Sequence, residues 1–312
     1  MKRIAVAVFL VSMVVFISGC VEGGGLAGLM GVGDQEVEDP DDVLVVENRM
    51  VNPSTVNAEN QFEFSFELTN LFEAESARDV EVRLYDSGMC DPIQGEDPQA
   101  MDGRNIFEGA TRVIEWSLQA PTNTELGNMA GSCPLKYYVK YRFDAYSRSD
   151  VYIMGEDVSR DSDVASVSPT TSKARGPLKV DIDFSGQQPF RYGSPVPFQI
   201  RLRNAGDGDL DDLKPDDVSI LLDHGETEIQ LGEDKYLAED DDWETGCRSP
   251  VDLGDKFQFI DDRTPPISCR LYPGHYEDYF EEPLTSSQIR VSVEDYEYTL
   301  DGEASVSIQP TL

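Results

Sequence analysis

Five cysteines, two histidines and sixty acidic side chains are the groups through which this 312-residue chain could do chemistry. Cys90, Cys133, Cys247 and Cys269 show no Cys-x-x-Cys spacing and have no histidine partners, so a zinc site is disfavoured. Four cysteines allow three connectivities. In an oxidising compartment the economical one pairs Cys90 with Cys133 and Cys247 with Cys269, each within its own half of the chain. Each closure would contribute on the order of 3.5 to 4 kcal/mol by loop entropy. The two imidazoles, His224 in LLDHGE and His275 in YPGHYED, sit among turn residues and acids, where histidine is ordinarily solvated. No Gly-x-Ser-x-Gly is present. Enzymatic readings therefore lack their usual base, and the chain reads as non-catalytic.

The acids offer one inorganic alternative. Asp207, Asp209, Asp211, Asp212, Asp216 and Asp217 crowd the turn after Asn204, and hard oxygen donors on a loop suit calcium. The spacing begins like an EF-hand loop but has Asp212 where glycine is needed and Val218 where the bidentate glutamate should stand. Solvated surface charge is the competing explanation in a chain this acidic, and no other cofactor is implied. Among the aromatics, Tyr138, Phe143 and Tyr146 alternate along one segment and read as core or corner residues. The segment HYEDYFEEP is different: it alternates aromatics with acids in a connection unique to the second half. His275, Tyr276, Tyr279 and Phe280 make it the candidate partner-binding loop.

The N-terminus supplies the location. Lys2 and Arg3 precede an apolar stretch from Ile4 to Ile17, too short to span a bilayer and suited to a secretory signal. The next residues, Ile17, Ser18, Gly19 and Cys20, resemble a lipobox. That resemblance implies cleavage after residue 19, lipidation of Cys20 and a position on the extracellular face of the cytoplasmic membrane. Residues 20–42, rich in glycine and then in acids, read as a flexible tether. It would span about 26 Å as a coil and at most about 80 Å extended. Leu26, Leu29 and Met30 could alternatively rest on lipid.

Charge narrows the partners. With 60 acidic against 25 basic residues the net charge is -35, which opposes the phosphate neutralisation that nucleic-acid binding requires. Nucleic acid is excluded as a partner. The excess of Asp over Glu and the scarcity of Lys suit a halophile, where salt screens self-repulsion over a few ångströms. A hydrophobic content of 39% is enough for real cores.

The elements that would position these groups are strands. QFEFSFELTN alternates Phe62, Phe64, Phe66 and Leu68 with polar residues, and VPFQIRLRN does the same with Val196, Phe198, Ile200 and Leu202. Each run ends in an asparagine, Asn70 or Asn204, and a second alternating strand follows at 79–86 or 217–223. Longer strands come later at 137–146 and 288–300, with closing strands at 165–170 and 304–311. This recurrence reads as a tandem duplication: body one at 43–168, a semi-flexible joint at 169–177, and body two at 178–312. Asp301 and Gly302 would form the hairpin turn of the final antiparallel pair. No helical periodicity appears beyond the signal. The predicted fold is all-β, two tandem immunoglobulin-like sandwiches, with a closed barrel as the alternative.

The segments FELTNLFEAESARDVEVRLYD and IRLRNAGDGDLDDLKPDDVSILLD resemble the CARDB class of immunoglobulin-like modules. The resemblance covers about a third of each half and is better in the second, where Ala205 and Gly206 follow the asparagine. It implies an archaeal or bacterial surface lipoprotein that adheres to or presents other molecules, a surface protein or a polysaccharide. The alternatives are a structural subunit of an envelope complex and a calcium-dependent or carbohydrate-binding module.

Overall fold

The computed structural model describes residues 41–311, apart from 73, 94–97, 156–167, 169, 174, 192, 212, 223–227, 231–245, 249–255 and 272–283. The first half carries β1 (Leu44–Asn52), β2 (Thr55–Asn57), β3 (Gln61–Asn70), β4 (Ala77–Asp86), β5 (Asp91–Pro92), β6 (Gln99–Ile106), β7 (Thr111–Gln119) and β8 (Gly131–Met154). After β9 (Thr171–Lys173), the second half carries β10 (Leu178–Phe184), β11 (Phe190–Arg191), β12 (Val196–Asn204), β13 (Asp209–Asp211), β14 (Val218–Leu222) and β15 (Glu228–Gln230). It closes with β16 (Gly246–Arg248), β17 (Ile267–Leu271) and β18 (Leu284–Gln309). The single 3-10 turn among the described residues is Pro215–Asp217. The all-β sandwich expected from the period-two patterns is the fold observed.

Alternation decides which face each strand buries. In β3, Phe62, Phe64, Phe66 and Leu68 are buried while Glu63 is exposed. In β12, Val196, Phe198, Ile200 and Leu202 are buried. The first core centres on aromatic contacts: Trp116 stacks on Phe64 at 5.5 Å and Tyr137 on Phe66 at 4.6 Å. Such pairs add about 1 kcal/mol each beyond area burial. The recurring asparagines have one job in both halves. Asn70 Nδ2 donates to the Glu75 and Ile106 carbonyls while its Oδ1 accepts from the Phe72 N–H. Asn204 likewise donates to the Gly208 carbonyl and accepts from the Gly206 N–H. These are Asx turns, in which a short amide side chain satisfies the backbone of a reversing chain.

Two four-stranded sheets, β1-β3-β7-β5 and β10-β12-β17-β16, pack against one ten-stranded sheet with the path β15-β14-β18-β8-β4-β6. An immunoglobulin-type sandwich sets strands A, B, E and D against C, F and G. In the first half β4 and β8 occupy the C and F places, and in the second half β14 and β18 do. The G place is filled reciprocally. Past Ala145, β8 runs on into the second sandwich, and past Tyr296, β18 runs on into the first. The two strands stay antiparallel from Leu284 opposite Met154 to Ile308 opposite Gly131, with one irregularity between Val293 and Tyr296. Short parallel strands complete each edge, β2 on β18 and β11 on β8.

Both sandwiches share β8 and β18, and β9, inside the stretch read as a joint, pairs with β8. The reason is that strands of 24 and 26 residues carry their period-two pattern across both cores. Asp301 and Gly302 form no hairpin: they lie within β18, opposite Tyr138 and Tyr137. Glycine is required at 302 because a Cβ there would overlap the Tyr137 ring. The expected closing strand at 165–170 falls mostly outside the described residues.

Candidate functional site

The disulfides join Cys90 to Cys133 and Cys247 to Cys269. The first ties the loop after β4 to the start of β8. In the second, the two cysteines face each other across β16 and β17. Cys20 and the aromatic loop with His275, Tyr276, Tyr279 and Phe280 lie outside the described residues, as does Asp212.

The other aspartates of the Asn204 turn are committed locally. Asp209 and Asp211 pair with Thr299 and Glu297 through β13, and Asp211 accepts from Thr299 Oγ1 at 2.8 Å. Asp217 accepts from the Lys214 N–H at 2.8 Å, Asp216 is exposed, and the Asp207 N–H donates to Asp42 at 3.3 Å. Among the described residues no group of three or more His, Cys, Asp or Glu side chains is placed to hold a metal. The same residues contain no helix long and apolar enough to cross a membrane.

Where the two sandwiches meet, a polar cluster is shut in. Asp42 Oδ1 and the Tyr141 and Tyr296 hydroxyls are buried without hydrogen-bond partners. The Tyr298 hydroxyl lies beside Asp42 and accepts from the Gly208 N–H at 2.6 Å. Gly206 is needed here because a Cβ would collide with Asp42 and Tyr298. Burial pushes the Asp42 carboxyl above its ordinary 3.8, and the neighbouring Asp207 and Asp41 charges act the same way. Burial likewise raises all three tyrosines. Next to it, Asp41 pairs with Lys179 at 2.7 Å, a lysine only 14% exposed. The chain thus enters the folded body at the seam between its two cores.

The outward face of the shared sheet is the richest surface chemically. Inward positions of β8 are odd-numbered and buried, including Phe143 as expected for the core. Even-numbered positions point outward and read Lys136, Tyr138, Lys140, Arg142, Asp144, Tyr146, Arg148, Asp150 and Tyr152. Tyr138 and Tyr146, expected as core or corner residues, are on this face, because the alternation phase is set by Tyr137 and Tyr141 pointing inward. Four of these nine positions are basic in a chain whose basic residues number 25 of 312. That is a local reversal of the overall charge balance.

Most of those charges have partners. Lys136 pairs with Asp86 at 3.4 Å and Lys140 with Glu297 at 2.5 Å, and the Tyr138 hydroxyl donates to Glu81 at 2.5 Å. Arg78 grips Asp144 through two bonds of 2.8 and 2.6 Å. Asp295 accepts from Arg142 at 2.7 Å and lies 3.2 Å from Arg78, while its N–H donates to Asp144 at 2.7 Å. Asp295 adopts a φ of 56°, a left-handed conformation that aspartate tolerates, at the irregularity in β18. For Asp144, burial raises the carboxyl, but the Arg78 bonds outweigh it and hold it below the usual range. The Asp144 bonds in turn raise the Arg78 guanidinium. Exposed pairs of this kind contribute about 0 to 1 kcal/mol each, so the ladder orders the face more than it stabilises the fold.

Tyr85, 52% exposed, stacks beside Tyr138 with ring centroids 6.2 Å apart. At the other end, Arg148 and Arg290 lie over the Tyr146 ring, 5.2 and 5.1 Å from its centroid. Neither arginine side chain makes an ion pair or hydrogen bond among the described residues. Sequence reading missed this face, although the alternation of Lys, Tyr and Arg in KYYVKYRFDAYSR would have revealed it once the phase of β8 was known.

No family model and no curated protein matches the sequence. Among solved structures, the collagen adhesin CNA from S. aureus is 10% identical with a TM-score of 0.20, over 86% of this chain and 93% of that one. The MSCRAMM ACE of Enterococcus faecalis is 7% identical with a TM-score of 0.16, over 86% of this chain and 96% of that one. Likeness of this degree assigns neither a ligand nor an activity to this chain.

Proposed function

We propose that this chain is a non-catalytic surface lipoprotein, held outside the cell by a lipid on Cys20, that binds a protein or polysaccharide through its immunoglobulin-like body. The observation that carries the reading is the outward sheet face, where tyrosines and paired charges gather in a chain otherwise dominated by acids. Tyrosine and arginine supply large, amphipathic contact area and are enriched at binding surfaces. The two disulfides suit an oxidising exterior. The lipobox-like Ile17-Ser18-Gly19-Cys20 supports anchoring.

Two measurements test the proposal separately. Cys20→Ser should move the protein from the detergent phase to the aqueous phase on phase partitioning; an unchanged distribution would sink the anchor. A photocrosslinking residue at Tyr85 or Tyr138 should capture an envelope component on intact cells, whereas one at Ser65, on the opposite outer face, should not. Equal capture from both faces, or none from either, would remove the sheet face as the binding surface. One stoichiometric membrane partner would favour an envelope-complex subunit over an adhesin.

A further inference from the structure

Arg148 and Arg290 are direct cross-strand partners on β8 and β18, with outward side chains. Like charges in that position repel each other, and a sheet ordinarily avoids them. The other outward cations of β8 solve the problem with an acid from a neighbouring strand; these two do not. The nearby acids make no direct contact with the pair: Asp144 is gripped by Arg78 and, like Glu75, acts on Arg290 only through its charge, and Asp150 accepts from Gln288 Nε2 at 3.1 Å. The Arg290 Nε is buried and holds no hydrogen bond. Tyr146 lies under both guanidinium groups, fixing them against one ring. Around them stand hydroxyls: Ser172 opposite Arg148, and the Ser219 and Ser292 pair, 2.8 Å apart, beside Tyr146.

We infer that Arg148, Arg290 and Tyr146 form an anion site for a saccharide oxyanion, a carboxylate or sulfate carried on an otherwise neutral sugar. Two guanidinium groups on directly opposed residues, both held within about 5 Å of one ring centroid, suit an oxyanion, which would offset the repulsion between them. The half-buried Tyr146 ring and the exposed Ser172 add an aromatic surface and a hydroxyl, the complement of a sugar. A densely charged polyanion is disfavoured because the net charge of -35 repels it everywhere except at this spot. The inference rests on the binding reading above and narrows its partner to one chemistry.

Titration calorimetry of the full-length chain in detergent, at low salt, is the test. The probes are a glucuronic-acid-terminated disaccharide, its sulfated and neutral counterparts, and a Glu-rich peptide. One of the anionic sugars should bind, the neutral one at least tenfold more weakly. Arg148→Gln and Arg290→Gln should each weaken binding by roughly tenfold, and a variant with lysine at both positions should restore part of the loss. Equal binding of charged and neutral sugars, tighter binding of the peptide, or no binding at all would each overturn the site. The Cys20 and crosslinking results are independent of it, so failure here leaves the anchored binding module to be judged by its own tests.

Discussion

Ile308 belongs by chain order to the end of the second half, yet its side chain, fully buried, closes the first sandwich, between Gly131 of β8 and Val56 of β2. Ile308→Ala removes three carbons from that core without touching the second. Truncations of this type cost about 3 kcal/mol when the site is fully buried. For a cooperative unit of roughly 270 residues the unfolding entropy near the midpoint is about 0.57 kcal/mol per kelvin, so the melting temperature should fall by about 5 °C. Calorimetry should show one transition, before and after the substitution, because the halves share β8 and β18. Hydrogen exchange read by mass spectrometry should then lose protection around 55–57 and 131–139, while 196–204 and 267–271 keep theirs. Two calorimetric transitions, or lost protection confined to 196–204 and 267–271, would refute the reciprocal strand exchange.

The remaining predictions concern the seam and the bridges. Asp42 binds its proton more tightly in the folded state than in the unfolded chain, so the stability tied to it is present at acid pH and is lost as pH rises past its ordinary 3.8. Asp42→Asn should flatten that part of a denaturation-versus-pH profile and leave the neutral-pH protein no less stable; a steeper profile would contradict the buried position. Replacing Cys90 and Cys133 by alanine, a loop with separation 43, should cost about 4 kcal/mol in chemical denaturation. The Cys247 and Cys269 pair, with separation 22, should cost about 3.5 kcal/mol.

Much of the local structure could be read directly. Period-two runs located β3, β4, β12 and β14 and the centres of the two long strands, because half-buried strands impose alternation whatever packs on them. The repeated asparagines marked two real Asx turns. The disulfide partners followed from pairing the cysteines within each half. The Asp301-Gly302 turn failed because Asp-Gly is a turn signal only where the chain must reverse; here glycine answers the Tyr137 ring on the next strand. The outward site was equally hidden: alternation tells that Tyr137 and Tyr138 face opposite ways, but not which of them faces the core.

What the sequence alone determined, then, is everything set by neighbours along the chain: strand class, turn chemistry, charge balance and the lipobox-like start. What only the tertiary structure decided is which strand completes which sandwich, and hence that Arg148 meets Arg290, distant in sequence. Strand pairing is a competition among edges with similar hydrogen-bonding groups, and the winner is selected by side chains on both cores at once. That information is shared between distant segments, and no single stretch of this chain contains it.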